Sequence, residues 1–356
     1  PKLADEPKKV DFEASLRLFR GARELGVNYF DTAYLYDGGD SERCLGQFLK
    51  EVKREEIVIS TKNPVGHQWW PIPGDKTTGE LYRRCLEEEL ERLGTDYIDF
   101  YIFHDTQLLT FRIIVKAPGG PLDQALKAKE EGLIRHIGFS CHDTPENIKK
   151  IIDMGGEALD LMIVQYNLLD RKNEPAIEYA HEKGLGVSIM GPVGGGRLVH
   201  PSEVYSKAVR ASSTPEVAIR FVLANPHVTT AMSGMNSLEQ LEENAAAASR
   251  PEPLSREELE AIEKLERQNR ELLNLYCTGC GYCMPCPHGV NIPGNFSAMN
   301  TLKVHGLVEL AKQMYRKLGD GIAANCQQCG ACAGKCPQHI DIERRLAEVA
   351  EAFASS

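Results

Sequence analysis

Residues 81–104 read LYRRCLEEELERLGTDYIDFYIFH, and the two halves of this stretch have different periods. From Leu81 to Leu93 the apolar residues recur at helical spacing, with charged residues between them. From Tyr97 to His104 the run is short, aromatic and β-branched, which suits a strand buried on both faces. The same helix-then-strand unit repeats outward in both directions. Toward the N-terminus, Glu42–Val52 precedes Ile57–Lys62, and amphipathic Asp11–Leu25 precedes Val27–Asp31. Toward the C-terminus come Leu122–Glu131 with Ile134–Ser140, Pro145–Met154 with Leu161–Gln165, and Glu174–Lys183 with Val187–Met190. Pro215–Leu223 with Val228–Met232 follows, and Leu238–Ala247 closes the series.

Seven strands, each flanked by helices, favour a parallel sheet. A doubly wound sheet satisfies the count alone. The ends of the strands decide for a barrel: Asp31, Lys62, His104, Ser140 and Gln165 are polar residues at successive C-terminal tips, where a barrel gathers its working groups. No strand precedes the first helix, so the expectation is a (β/α)8 TIM barrel over 1–250 whose first strand lies upstream of residue 1. After Arg250, Pro251, Pro253 and Ser255 mark a linker and a helix start ahead of Glu257–Leu275, and 251–356 reads as a second, smaller domain.

The 356 residues give room for both domains. A formal net charge of −10 argues against a general nucleic-acid or anionic-membrane surface. No apolar run reaches membrane-spanning length. No signal-peptide pattern precedes the fold, and the chain opens at Pro1 without an initiator Met, so upstream material is expected to have been removed or to lie outside this sequence. Cysteine is the outlier. Of eleven, only Cys44, Cys85 and Cys141 are scattered, and the other eight fall in two tight runs. A disulfide framework suits a small secreted domain, so metal ligation in a reducing cytoplasm is the better reading.

The first run is Cys277, Cys280, Cys283, Cys286 followed by Pro287; the second is Cys326, Cys329, Cys332, Cys336 followed by Pro337. The second has the bacterial ferredoxin spacing of two, two and three residues before Cys-Pro. The first is one residue short before its fourth cysteine, which leaves that ligand open to either cluster. Two [4Fe-4S] clusters are expected, with a pair of four-cysteine zinc sites as the alternative. The helical text between the runs resembles α-helical ferredoxins, so 251–356 is expected to be a small α-helical ferredoxin-like domain.

At three successive strand ends stand Asp31, Lys62 and His104, with Tyr36 five residues after Asp31. Carbonyl reduction by hydride needs a proton donor for the developing alkoxide. A tyrosine is sluggish in that role at its ordinary pKa of about 10, and a buried Lys pinned by an Asp stabilises the phenolate. A His donating to the carbonyl oxygen completes an oxyanion site. On these residues the chain resembles the aldo-keto reductase family from about residue 11 to 247. The resemblance implies a nicotinamide-dependent oxidoreductase acting on a carbonyl or its alcohol, with Asp31, Tyr36, Lys62 and His104 catalytic and Tyr36 the general acid. Barrel and cysteine runs together resemble the group of that family with a C-terminal ferredoxin-like domain.

The same resemblance assigns the cofactor contacts. Ser140 and Gln165 fall at the carboxamide positions, with Cys141 where Asn is usual, and Met190 stands where many members stack an aromatic ring. Gly194, Gly195, Gly196 and Arg197 form a loop able to wrap a pyrophosphate with amides and one cation. Ser233, Gly234, Met235, Gln240, Glu243 and Asn244 match the adenosine segment. Gly234 and Gln240 replace the Lys and Arg that many members offer a 2′-phosphate, so NADP(H), the family default, and NAD(H) both stay open. No motif indicates a flavin, although the barrel mouth has room for one. Cys141-His142-Asp143 imitates a nucleophile with its base, yet chain neighbours rarely face one another. Trp69 and Trp70 are candidates for pocket lining or for loop packing.

Nicotinamide moves two electrons and each cluster one, so the clusters either relay electrons to a ferredoxin-like redox partner or brace the fold. The competing reading is an electron-transfer or redox-sensing subunit whose barrel binds nicotinamide or a flavin without carbonyl turnover.

Overall fold

A computed structural model describes residues 9–67, 77–250, 252–265, 283–336 and 340–354. Trp69, Trp70, Cys277 and Cys280 lie outside the described residues, as does the second half of the expected helix Glu257–Leu275, of which 256–265 is helical. The chain divides into two compact units: Pro1–Gly194 with Ile219–Pro251, and Gly195–Ala218 with Glu252–Ser356.

In the first unit seven strands pair in chain order, all parallel, as a nearly closed barrel. They are β1 (Tyr29–Asp31), β2 (Val58–Asn63), β3 (Ile98–Phe103), β4 (Ile134–Cys141), β5 (Leu161–Gln165), β6 (Gly186–Met190) and β7 (Thr230–Met232). All seven expected strands are present, with ends shifted by one or two residues. Among the described residues β1 and β7 are the two edges. Side chains alternate across the wall, so Ile102, Leu161 and Ile163 pack together with Phe100, Met190 and Met232 against them. On β2, Ser60 is level with Phe100 and Lys62 with Ile102, which carries the lysine toward the C-terminal rim.

The helix Thr78–Leu93 shows why these segments fold as they do. Thr77 and Glu80 close a capping box at its start, and Gly94 ends it in the left-handed region at φ 62°. Its inner face buries Leu81, Tyr82, Cys85, Leu86, Glu89 and Leu93. Each such cap contributes about 1 kcal/mol. The stretch after β3 has no clear period in sequence. It forms a short helix, Leu108–Thr110, and a π turn, Phe111–Val115, that buries Phe111 and Val115.

The second unit is helical. Ile292–Lys303, Val308–Arg316 and Ile342–Ala352 enclose Val290, Phe296, Met299, Leu346 and Val349, with the Tyr315 and Phe353 rings stacked at 4.5 Å. Cys283 belongs to this core, and Cys286, Cys326, Cys332 and Cys336 pack against it. Buried Asn295 ties the unit together. Its Nδ2 donates to Asn291 O at 2.8 Å and Gly321 O at 2.7 Å, and its Oδ1 accepts from Ala323 N at 2.7 Å. The turn leading into Cys326 hangs on that amide. Residues 195–218 join this unit through Ser202 Oγ, which donates to His305 O at 2.6 Å, and Tyr205 Oη, 3.2 Å from His305 Nδ1.

Candidate active site

Parallel pairing places the tips of β1 and β2 side by side, with Asp31 level with Ser60. Lys62 is 3% exposed; its ammonium is ion-paired with Asp31 and donates to Thr32 O at 2.8 Å. Ser60 donates to the other Asp31 oxygen, so the carboxylate is held from two sides. Tyr36 follows in a turn closed by Tyr36 N donating to Ala33 O at 3.0 Å. The chain behind it is left-handed at Asp37, Gly38 and Gly39, with φ of 52°, 63° and 90°. This turn brings the Tyr36 ring back over the rim, 41% exposed, with Lys62 Nζ 4.8 Å from its centroid. His104, just past β3, lies edge-to-face with Tyr36 at 5.8 Å and 83°. The four residues that sequence reading grouped are therefore neighbours at one rim.

His104 is largely buried near the Lys62 ammonium. Burial is the largest influence, with Lys62, His67 and His142 adding to it, and together they push its pKa down to about 3. The imidazole is thus neutral across the physiological range. Its Nδ1 is buried with no hydrogen-bond partner among the described residues.

Two features of the rim escaped the sequence reading. His67 stacks edge-on to His104 at 5.2 Å, with its Nε2 3.6 Å from Asp105 Oδ2. Behind the sheet, Arg92 supports the Tyr36 turn: its guanidinium lies 4.2 Å over the Tyr34 ring and donates to Tyr34 O at 3.4 Å, Glu42 at 3.0 Å and Glu88 at 3.3 Å. Thr61 Oγ1 donates to Glu42 at 2.6 Å, and Tyr101 to buried Glu89. Burial and the neighbouring Glu42 charge hold the Glu89 carboxyl well above the usual carboxylate range. Only the sequence-distant pairing of helices reveals this network; no local motif announces it.

A cavity of about 760 Å³ runs from the rim along the gap between β1 and β7, lined in part by Asp31, Tyr36, Met190, Ser233, Met235 and Asn244. Gly234 also faces it, and Asn244 Nδ2 donates to Ser233 Oγ at 3.1 Å. Gln240 and Glu243 are not in that lining; Gln240 Oε1 accepts from Asn236 N at 2.8 Å. Ser140 Oγ accepts from Asp105 N at 2.8 Å, and Gln165 Nε2 donates to Asp170 at 3.1 Å. Cys141 is buried, its sulfur accepts from Asp143 N at 3.4 Å, and burial pushes the thiol up to about 12, which suits packing and not nucleophilic attack. Gly195 and Gly196 are left-handed at φ 64° and 85°.

In the second unit the Cys332 thiol is pushed up by burial, with the charges of Glu343, Cys326 and Cys286 contributing. The last cysteine of the first run is thus near enough to bear on Cys332, and both pack against one core. Gly330 and Gly334, within the second run, are left-handed at φ 75° and 70°. Among the described residues no three His, Cys, Asp or Glu side chains converge as they would on a single ion.

A parallel barrel with this rim, joined to a helical unit built around cysteines, defines an oxidoreductase carrying iron–sulfur ligands. The Aldo/keto reductase family profile matches residues 2–203 and 201–267, and the chain belongs to that family. A profile for a 4Fe-4S dicluster domain matches 276–340. An uncharacterised oxidoreductase of Bacillus subtilis is 27% identical over 290 residues, covering 72% of this chain and 88% of the relative. The NADH-specific methylglyoxal reductase of Escherichia coli is 27% identical over 290 residues, covering 68% and 86%. An aldo/keto reductase from Klebsiella pneumoniae, solved with NADP and acetate, superposes with a TM-score of 0.59 at 25% identity, covering 71% and 85%. The protein is an enzyme, an aldo-keto reductase type oxidoreductase with an iron–sulfur domain. No helix among the described residues is long and apolar enough to cross a membrane.

Proposed function

We propose that this enzyme reduces a carbonyl to its alcohol, or runs the reverse reaction, with NADP(H) or NAD(H) as hydride carrier and Tyr36 as general acid and base. The observation that carries this reading is Lys62, buried, ion-paired to Asp31, with its ammonium 4.8 Å from the centre of the Tyr36 ring. When bound, the nicotinamide supplies a hydride to the carbonyl carbon. Tyr36 Oη gives its proton to the carbonyl oxygen, and the Lys62 ammonium stabilises the phenolate left behind. Asp31 fixes that ammonium in place. Neutral His104 donates an N–H to the same oxygen as negative charge gathers there.

The cavity fits a cofactor of this kind in size, since ligand pockets run from about 300 to 1,000 Å³. Met190 would lie against the nicotinamide, with Ser233, Gly234, Met235 and Asn244 toward the adenosine. Ser140 and Gln165 are assigned to the carboxamide, for which their bonds to Asp105 N and Asp170 must be shared or exchanged. Gly194, Gly195, Gly196 and Arg197 are assigned to the pyrophosphate, and Gln240 and Glu243 to the adenosine end.

The eight cysteines hold two [4Fe-4S] clusters in this reading. The influence of Cys286 and Cys326 on Cys332 supports Cys286, Cys326, Cys329 and Cys332 as one set and Cys277, Cys280, Cys283 and Cys336 as the other. Thiolate ligation suits a reducing, cytoplasmic setting, and one-electron centres suit a ferredoxin-like partner.

The test is anaerobic. Purified protein should carry about eight iron and eight sulfide per chain, and zinc without sulfide would overturn the cluster assignment. Tyr36→Phe should abolish carbonyl turnover in a screen with both nicotinamides while nicotinamide still quenches intrinsic fluorescence. Turnover that survives Tyr36→Phe would favour the electron-transfer or redox-sensing reading.

A further inference from the structure

The loop of the second cysteine run has a neighbour that the ligand spacing does not require. Gly330, between Cys329 and Cys332, is left-handed at φ 75°, and its N–H donates to Glu343 Oε1 at 2.6 Å. Glu343 stands in the first turn of the helix Ile342–Ala352, which Asp341 caps by accepting from Arg344 N. Among the described residues no Lys or Arg forms an ion pair with Glu343; the nearby Arg344 and Arg345 pair with Asp341 and Glu348. Its carboxylate lies close enough for its charge to bear on Cys332.

Two quantities set the potential of a thiolate-bound cluster at a given fold: the net charge around it and the number of N–H groups aimed at its sulfurs. Glu343 acts on both in the same direction. It adds a negative charge, which disfavours an added electron, and it withdraws one backbone donor that would favour it. We infer that Glu343 is a potential-setting residue, lowering the reduction potential of the cluster begun by Cys326, Cys329 and Cys332 and leaving the other cluster largely untouched. The inference rests on the iron–sulfur assignment but is independent of the role given to Tyr36. Glu343 is a positioning residue here, acting through Gly330 and through its charge.

The experiment is a redox titration of the intact, iron-loaded protein with dithionite as one-electron donor, followed by low-temperature EPR. Glu343→Gln keeps an oxygen for Gly330 N–H and removes the charge. About half of the reducible signal should shift to higher potential, by about tenfold in the reduction equilibrium, which is about 59 mV for one electron. Glu343→Asp keeps the charge and should titrate close to the parent. Parent-like potentials in Glu343→Gln, or an equal shift of the whole signal, would overturn the proposal. So would loss of iron in Glu343→Gln with retention in Glu343→Asp, which would make the residue a structural brace. Zinc without sulfide in the parent would instead remove the cluster reading itself.

Discussion

Glu89 and His104 are both buried titratable groups, and their shifts run in opposite directions with opposite consequences. The folded chain holds the Glu89 proton more tightly than the unfolded chain, whose carboxyl has the ordinary value of 4.5. The stability this contributes is complete below that value and is lost as pH rises toward the folded one. Glu89→Gln copies the protonated form, so its melting temperature should vary less than the parent's between about pH 5 and 8. A profile as steep as the parent's would show that the fold does not favour the protonated form. His104, with a folded pKa of about 3, contributes stability above its ordinary range that is lost as pH falls through the folded value. For catalysis it follows that the imidazole adds no acid limb to the kcat profile above about pH 5. A limb near neutrality that disappears in His104→Gln would contradict this. At this scale the sequence showed Asp31, Lys62 and His104, because a short apolar strand ending on a polar group is a local pattern, and Tyr36 by its place five residues after Asp31. His67, Asp105 and Arg92 were hidden, because their roles depend on a left-handed backbone at Asp105 and on contacts across fifty or more residues.

Among the elements, the helix Asp40–Leu49 packs on Thr78–Leu93 so closely that Gly46 has no space for a side chain. An added Cβ would lie 2.5 Å from Arg92 O and 2.8 Å from Leu93 O, both backbone atoms that cannot swing aside. Gly46→Ala gains up to about 1 kcal/mol in helix propensity but must push the helices apart, at about 1–3 kcal/mol. The net expectation is a lower melting temperature and a weakened Arg92–Tyr34 support, read as a loss in kcat larger than any change in KM. A variant as stable as the parent would show that the helices can separate freely. Helix and strand order was legible throughout the first unit because each segment is long enough to show its period. The π turn Phe111–Val115 was not, since β-branched residues at short spacing fit either period. The seam between β1 and β7 was invisible as a cavity, because sequence gives strand order without the width of the gap.

For the whole molecule, the second unit is small, and Cys283 with Cys286, Cys326, Cys332 and Cys336 lies in or against its apolar core. Small domains of this kind draw much of their stability from the metal they hold. Stripping iron with oxygen and a chelator should therefore open residues 283–354 to proteolysis while peptides from 77–250 stay protected, as mass spectrometry of the digest would show. Equal protection of 283–354 with and without iron would contradict this. The spacing of the cysteines made this unit readable at once. Its packing was not readable, because the residues that shape it, such as Asn295, carry no motif. That asparagine has a bearing on how the unit matures. Its amide fastens the turn before Cys326 through bonds to Asn291, Gly321 and Ala323, all of them within the polypeptide itself. Packing of that amide and uptake of iron by Cys286 and Cys326 would therefore close the same stretch of chain, each lowering the entropy cost of the other.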